Sequence, residues 1–498
     1  MILPNKYISV LFSAVLVGLS QHYSYLGFFS WFGLVPLLGI IFKENNFFNL
    51  IKYSLIWGLV YHLIVVFWLA NNIGTTPFIA FLIMIITVLI LSLNTVLIVL
   101  IWNPIRRFIP NLSFIFFPTI WVTVEFIRSY GLLGFPWVSL ANSQTEYLYL
   151  IQNAEYVGIY GISFWIISLN IFLHRIIFRK QDFKNIIFLI ILILPWFSGF
   201  IIINKYDKKS FKSKEVLETL IMQPNIGLVD KRDFDKNQSS MKNLIDSTLK
   251  NISTSTKLVI WPESAMPYQS IQNRGVRNFL NDNLFIENLN LLTGNIIYNE
   301  TDYFNSSVLI NKNGILGTYN KRQLVPLAEY FPFSSTFKSL RNINIGQANF
   351  SKGDKDYVFE LDGYRFASLI CIESTFPEIN RRHANLGIDA LIFLVNDGWY
   401  LNNPEPMQHA RQSIFRAIEN RLPVIRCANT GISQIVNPLG IIENKIDLNN
   451  FGTMRLGIIK NNNEKTFYTK HGNVFSLVLL VITLIVLFLS IVNYKKNE

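Results

Sequence analysis

Charge is scarce in this sequence. Asp, Glu, Lys and Arg fill 15% of its 498 positions, where a soluble chain carries roughly a quarter. That shortage excludes an ordinary soluble globule, and the 51% apolar and 14% aromatic content points to contact with lipid. Cysteine is nearly absent. Cys371 and Cys427 cannot build a disulfide framework, no Cys/His group has zinc-ligand spacing, and the six histidines are too scattered for a metal site. Neither a metal nor a cofactor is expected. Lys+Arg 44 against Asp+Glu 32 leaves a formal +12, but no basic stripe interleaves with aromatics. An anionic membrane surface is therefore the expected partner, and nucleic acid is not. Repeats and low-complexity tracts are lacking as well.

What is present is a crowd of apolar runs approaching the roughly 20 residues that cross a bilayer. They fall at Tyr7 to Ser20, Phe28 to Phe42, Tyr53 to Leu69, Phe78 to Ile101, Phe114 to Ile127, Ile159 to Phe172, Ile186 to Ile203 and Val474 to Val492. The first, second and fifth are short and need bundle packing to cross. The first resembles a signal sequence, with Lys6 ahead of it and Ala14, Gly18 and Ser20 inside, but a second run follows at once, so retention as an anchor is expected. Lys6, Lys43, Lys52, Arg106, Arg107, Arg175, Arg179, Lys180, Lys184, Lys495 and Lys496 fall on one side, which makes that side and both termini cytoplasmic. The loops Gln21 to Tyr25 and Asn71 to Thr76 hold no Lys or Arg, and Lys205 to Lys214 is a basic run on the opposite side. Long translocated segments are weakly bound by the charge rule, so the orientation stands.

The expected organisation is a polytopic α-helical bundle of about seven spans over residues 1–204, an α+β domain over 215–472, and a final span with a cytoplasmic tail over 473–498. Within the second of these, strands are read at Leu217 to Met222, Lys257 to Ile260, Asn290 to Ile297, Ser307 to Ile310, Gly363 to Ile370, Ala390 to Val395, Pro423 to Cys427 and Gln434 to Val436. Helical spacing falls at Gln238 to Lys250, Asn273 to Phe285 and Pro406 to Asn420.

Three strand runs end in polar residues: Trp261-Pro262-Glu263, Cys371-Ile372-Glu373 and Asn396-Asp397-Gly398-Trp399-Tyr400. Such residues converge over one sheet edge in α/β sites. A thiol with a free pKa of about 8.5 needs a base or a cation to attack at neutral pH. Glu263, Glu329 and Glu373 supply carboxylates, and Lys321 and Arg322 supply cations. In a Cys/Glu/Lys assembly, Glu263 can take the thiol proton while Lys321 and a backbone N–H beside Cys371 hold negative charge on a tetrahedral oxygen. Taken singly, each signal has a plainer explanation. A cysteine ending an apolar strand is more often packing, as Cys427 is expected to be, and Lys321 by itself reads as a solvated turn. His409 is a conceivable thiol partner, although its polar helix favours structural hydrogen bonds. Glu125 and Arg128 alone are thin support for a transport path.

In chain order, Trp261-Pro262-Glu263, Lys321 with Leu324-Val325-Pro326-Leu327-Ala328-Glu329-Tyr330, and Cys371-Ile372-Glu373 resemble the carbon-nitrogen hydrolase, or nitrilase, superfamily. That resemblance implies an α-β-β-α sandwich with Glu263 as base, Lys321 as oxyanion stabiliser, Cys371 as nucleophile and Glu329 supporting the lysine. The membrane half adds Trp121 to Arg128, Gly134-Phe135-Pro136-Trp137 and Gly158 to Phe164; further on come Arg416 to Arg421 and Asn429 to Ser433. With these, essentially the whole chain resembles the apolipoprotein N-acyltransferase family.

The resemblance implies transfer of a fatty acyl chain from a phospholipid, often phosphatidylethanolamine, through a cysteine thioester. The acceptor it implies is the N-terminal amine of a diacylglyceryl-modified cysteine on an apolipoprotein, at the periplasmic face of the bacterial inner membrane. Trp399, Tyr400, Tyr330 and Pro332 are expected lipid contacts, on loops within Leu324 to Phe337 and around Trp399, with core packing as the equal alternative. Two departures stand out: Ala328 replaces a usual glycine, which is expected to alter the loop carrying Glu329, and Ile372 replaces a usual tyrosine. A membrane-tethered amidase or nitrilase-type hydrolase is the alternative, followed by a non-enzymatic scaffold.

Overall fold

The computed structural model describes residues 5–178, 184–207, 215–228, 234–266, 270–285, 288–332, 349–400, 404–461 and 464–496. Arg179, Lys180 and Lys208 to Lys214 of the expected basic loops, and residues 333–337 of the expected lipid loop, lie outside them. Two compact units emerge: Met1–Asn71, Pro77–Lys208 and His471–Glu498 form one, while Asn72–Thr76 and Lys209–Lys470 form the other.

The first unit is helical. Helices long and apolar enough to cross a membrane number five among the described residues: Ser24–Ile41, Phe47–Asn71, Pro77–Phe108, Ala154–Phe178 and Val474–Asn493. Shorter apolar helices occur at Ser113–Ile127 and Leu192–Tyr206, and the first expected span lies on the helix Lys6–His22. The expected second span is broken into a 3-10 segment, Ser24–Trp31, and a helix, Val35–Ile41. Its polar backbone is met from inside the bundle: Asn170 Oδ1 accepts from Leu34 N at 2.9 Å, and Asn170 Nδ2 donates to Ser30 O at 2.7 Å. Unpaired backbone is costly in hydrocarbon, so this repair is what lets the break persist. Gly158, at φ 62, kinks Ala154–Phe178 with a backbone conformation that a side chain would strain. Outward faces are apolar, with Phe12, Phe78, Leu93 and Phe488 exposed. Glu125, the acid a transport path would need, has Oε1 accepting from Trp121 Nε1 and Leu140 N, both at 3.1 Å, a role in holding helix to loop.

The second unit is a sandwich of two six-stranded sheets. One has β1 (Leu217–Gln223), β2 (Leu258–Ile260), β3 (Asn290–Tyr298), β4 (Tyr303–Asn311), β5 (Gly314–Asn320) and β12 (Gly452–Ile458), in the order β12-β1-β2-β3-β4-β5. The other has β6 (Phe359–Leu361), β7 (Tyr364–Ile370), β8 (Ala390–Val395), β9 (Val424–Ala428), β10 (Ser433–Val436) and β11 (Ile442–Ile446), in the order β11-β10-β9-β8-β7-β6. The centres of both, β1-β2-β3 and β7-β8-β9, run parallel and are buried, which is why they were legible as short apolar runs.

Helices cover the outer faces. Met241, Leu244 and Ile245 of Phe234–Asn251 and Leu280 of Arg274–Asn283 share a core with Leu220, Val259 and Leu291. On the second sheet, Gln434 Nε2 donates to Ala410 O of Glu405–Asn420 at 2.8 Å. The sheets meet face to face, Ser307 Oγ donating to Ser368 Oγ at 2.6 Å. The unit is thus an α-β-β-α sandwich. The edge strands β5, β6, β11 and β12 and the helix Pro377–Asn385 were not anticipated. β11 exposes most of its side chains, and β5 is mostly half-buried with two exposed residues, so neither carries a buried apolar run.

Candidate active site

Glu263 comes two residues after β2 is capped by Trp261, whose indole N–H donates to Thr248 Oγ1 at 3.1 Å and whose backbone N donates to Leu292 O at 2.9 Å. With Trp261 turned into the core, the chain leaves the strand, and Ser264 takes a left-handed φ of 55. Glu263 is buried, and Oε1 accepts from Asn305 Nδ2 at 2.8 Å. Close packing fixes its backbone: a Cβ added to Gly294 of β3 would sit 2.7 Å from Glu263 Cα.

Lys321 follows β5 and is not a solvated turn, for it is 1% exposed. Its backbone N donates to Asn305 O at 2.8 Å, which continues the β4-β5 pairing and turns the side chain inward. Nζ donates to Glu329 Oε1 at 2.8 Å and lies 3.8 Å from Glu263 Oε1. Burial works against the ammonium, but the charges of Glu329 and Glu263 outweigh it and hold Lys321 above its ordinary pKa. Glu329 is itself fixed, Oε1 accepting also from Asn305 Nδ2 at 3.0 Å and Oε2 from Val325 N at 2.8 Å. In the loop carrying it the left-handed residue is Leu327, at φ 66. Ala328 has no positive φ, so alanine at that position carries no left-handed strain.

Cys371 ends β7 in a left-handed conformation, φ 51, and opens the 3-10 turn Cys371–Thr375. A non-glycine residue there costs about 1–3 kcal/mol and persists only where its surroundings enforce it. Glu373 is the enforcing group. Its Oε2 accepts from Ile370 N at 2.9 Å, and its Oε1 accepts from Tyr319 OH (2.8 Å), Arg322 N (2.7 Å) and Gln323 N (3.1 Å). One carboxylate thus joins the residue before the thiol to the residue after the ammonium. Burial pushes Glu373 above the usual carboxylate range, and with four donors upon it, it is a brace. The thiol of half-buried Cys371 is also held up, by burial and then by the charge of Glu263, with Lys321 pulling the other way.

Behind the thiol lies a network that spacing gave little sign of. His409 Nδ1 donates to Asp397 Oδ1 at 2.8 Å, while Nε2 lies 2.9 Å from Ser374 Oγ and 3.1 Å from Cys371 O. Arg426 donates to Asp397 Oδ2 at 2.6 Å. Burial, then the charge of Arg426, lowers His409, so the ring is neutral at pH 7 and serves the backbone of the Cys371 turn. Cys371, Asp397 and His409 place one ligand-type atom each within 4.8 Å of one another, so these three do converge despite the scatter of histidines. Asp397 is committed to His409 and Arg426, and His409 to Asp397 and the Cys371 turn, which leaves a structural network as their reading. Cys427 is core packing, its thiol donating to Met222 O at 3.3 Å.

Of the four expected lipid contacts, Tyr330 is 9% exposed with the Lys352 ammonium 5.2 Å from its ring centre, and Pro332 is buried. Trp399 and Tyr400 are half-buried against the Asn72–Thr76 segment, which carries no lysine or arginine. Ile73 N donates to Trp399 O at 3.0 Å, Asn72 Nδ2 donates to Tyr400 OH at 3.3 Å, and a Cβ at Gly74 would come within 2.8 Å of the Trp399 ring. Burial, then the charges of Glu405 and Cys371, raises the Tyr400 phenol.

A sandwich with a thiol, two carboxylates and an ammonium at its strand ends defines the carbon-nitrogen hydrolase class, and residues 221–454 match the carbon-nitrogen hydrolase family model. Residues 13–172 match the model of the apolipoprotein N-acyltransferase N-terminal domain. With both halves matched, the chain belongs to the apolipoprotein N-acyltransferase family, a family of membrane transferases. Among curated relatives, the apolipoprotein N-acyltransferase of Geobacter metallireducens is 28% identical over 72% of this chain and 71% of its own. That of Wigglesworthia glossinidia brevipalpis is 27% identical over 95% and 97%. A solved carbon-nitrogen hydrolase from Helicobacter pylori aligns with a TM-score of 0.38 at 18% identity, over 49% of this chain and 89% of its own.

Proposed function

We propose that this protein moves a fatty acyl chain from a membrane phospholipid to the N-terminal amine of a diacylglyceryl-cysteine on apolipoproteins, through a thioester on Cys371. The observation that carries the reading is the shared ammonium: Lys321 Nζ at 2.8 Å from Glu329 and 3.8 Å from Glu263, with Glu373 bracing the Cys371 strand end to it. Glu329 holds Lys321, which leaves Glu263 as the base.

In the first half-reaction Glu263 takes the thiol proton as sulfur attacks the sn-1 ester carbonyl. The proton is held tightly, so base and attack act together. Lys321 and a backbone N–H beside Cys371 stabilise the tetrahedral oxyanion. Its collapse breaks the C–O bond, and the lysophospholipid alkoxide leaves with the proton from Glu263. In the second half, the apolipoprotein amine attacks the thioester, Glu263 accepts its proton, and the C–S bond breaks to return the thiol with that proton. Phosphatidylethanolamine is the proposed donor. The site faces the periplasm from the bacterial inner membrane, with both termini cytoplasmic. Trp399 and Tyr400 line the lipid approach, because lifting acyl chains into water costs about 0.8 kcal/mol per CH₂, whereas Tyr330 and Pro332 are buried as packing.

Mass spectrometry of purified protein incubated with phosphatidylethanolamine tests this. A fatty-acyl adduct on Cys371, discharged to an N-acyl product by a diacylated lipopeptide and absent in Cys371→Ala, is expected. Release of free fatty acid or ammonia without N-acyl product would support the tethered hydrolase instead.

A further inference from the structure

Residues 350–356 run as a strap along the exit of β5. Their backbone meets both members of the ammonium–carboxylate pair: Phe350 N donates to Glu329 O and Gly353 N donates to Lys321 O, each at 2.8 Å. Ser351 N fixes the same stretch to Tyr303 O of β4 at 2.8 Å. The approach is close. A Cβ added to Gly353 would overlap the carbonyl oxygen of Asn320, the residue before Lys321. The strap ends on Asp356, whose carboxylate pairs with Arg322, the residue after Lys321. The same carboxylate accepts from Arg382 Nη2 at 3.3 Å. Arg382 belongs to the helix Pro377–Asn385, which follows the Cys371–Thr375 turn and is locked to it by Asn380 Nδ2, donating to Glu373 O at 2.9 Å. His383 Nε2 lies 3.8 Å from Asp356 Oδ1, but burial lowers that imidazole and leaves it neutral at pH 7. Asp356 therefore joins the arginine beside the ammonium to the helix that follows the thiol.

We propose that Asp356 is a positioning residue for acyl transfer, fixing the Lys321 ammonium relative to Cys371 through its two arginines; the inference rests on the acyl-transfer reading above. Glu373 makes a like connection from inside the sandwich, through buried backbone N–H groups. Asp356 makes it from the rim, through side chains that water reaches. The difference decides what each residue does. Ion pairs open to solvent contribute little to stability, whereas arginine–carboxylate geometry is directional, and a misplacement of about 1 Å near reacting groups can cost up to about 10²-fold in rate. Loss of Asp356 should therefore slow the reaction more than it weakens the fold. Burial, then the charge of Glu263, raises the Cys371 thiol, Asp397 and Glu329 add to that, and Lys321 lowers it. An ammonium free to drift from its place lets the thiol rise further.

Full-length Asp356→Asn, Asp356→Glu and Arg382→Gln, each compared with the parent in phosphatidylethanolamine vesicles supplied with a diacylated lipopeptide, test this. Asp356→Asn is expected to lower kcat for N-acylation about tenfold, with KM for the lipopeptide within about twofold of the parent and the denaturation midpoint unmoved. Its iodoacetamide alkylation at Cys371, followed by mass spectrometry across a pH series, should shift to higher pH. Arg382→Gln should act in the same direction and more weakly, and Asp356→Glu should bring both readouts back towards the parent. Asp356→Asn with kcat and alkylation profile both unchanged would overturn the proposal. So would a lowered kcat that comes with an earlier midpoint and an unmoved alkylation profile, since Asp356 would then serve the fold alone. A parent that alkylates with the expected dependence on Asp356 but N-acylates nothing would leave the positioning role standing and remove the acyl-transfer reading instead.

Discussion

The Cys371 proton sets the first expectation. Burial and the negative charge of Glu263 raise the thiol, and Lys321 lowers it. Glu263→Gln removes the largest upward push after burial, so the thiol should ionise at lower pH, and its iodoacetamide alkylation profile should move to lower pH. N-acylation should fall by about 10²–10⁴ in the same variant, since the base is gone. A profile that stays put would place Glu263 out of the thiol's field. Residue by residue, the sequence announced Glu263, Cys371 and Glu329 through their motifs. Lys321 belonged to the same expected Cys/Glu/Lys assembly, although taken alone it reads as a solvated turn, whereas the meeting of Asp397, His409 and Arg426 was not legible, because it depends on strands and a helix far apart in the chain.

Between elements, the brace is Glu373, which ties the end of β7 to the exit of β5 through Ile370, Arg322 and Gln323. Glu373→Ala leaves those three N–H groups and the Tyr319 hydroxyl facing an empty site. A loss of about 3 kcal/mol or more is expected, read as an earlier denaturation midpoint. Thiol alkylation and acylation should both suffer, because the left-handed turn at Cys371 loses its restraint. An unchanged midpoint would reduce Glu373 to a bystander. The parallel central strands were readable because both faces are buried, whereas the edges β6, β11 and β12 depend on partners that no local pattern names. Sequence reading also gave the second span as one run, which the structure divides at Phe32 to Leu34.

For the whole molecule, the division into units does not follow the chain. Asn72–Thr76 lies between two apolar helices yet belongs to the sandwich unit, where Gly74 abuts the Trp399 ring. Gly74→Val should push Trp399 out of place and lower N-acylation about tenfold in a vesicle assay, while leaving expression and the Cys371 alkylation profile intact. An activity equal to the parent would show that Trp399 tolerates displacement. The sequence signalled this segment only by its lack of lysine and arginine, because its role is read from hydrogen bonds to residues more than three hundred positions away. For protein engineering the outcome is practical. A fragment cut at the two borders of the sandwich leaves Asn72–Thr76 behind, stripping the Trp399 carbonyl and Tyr400 hydroxyl of their Ile73 and Asn72 donors. A water-soluble version would have to graft that short strip back in.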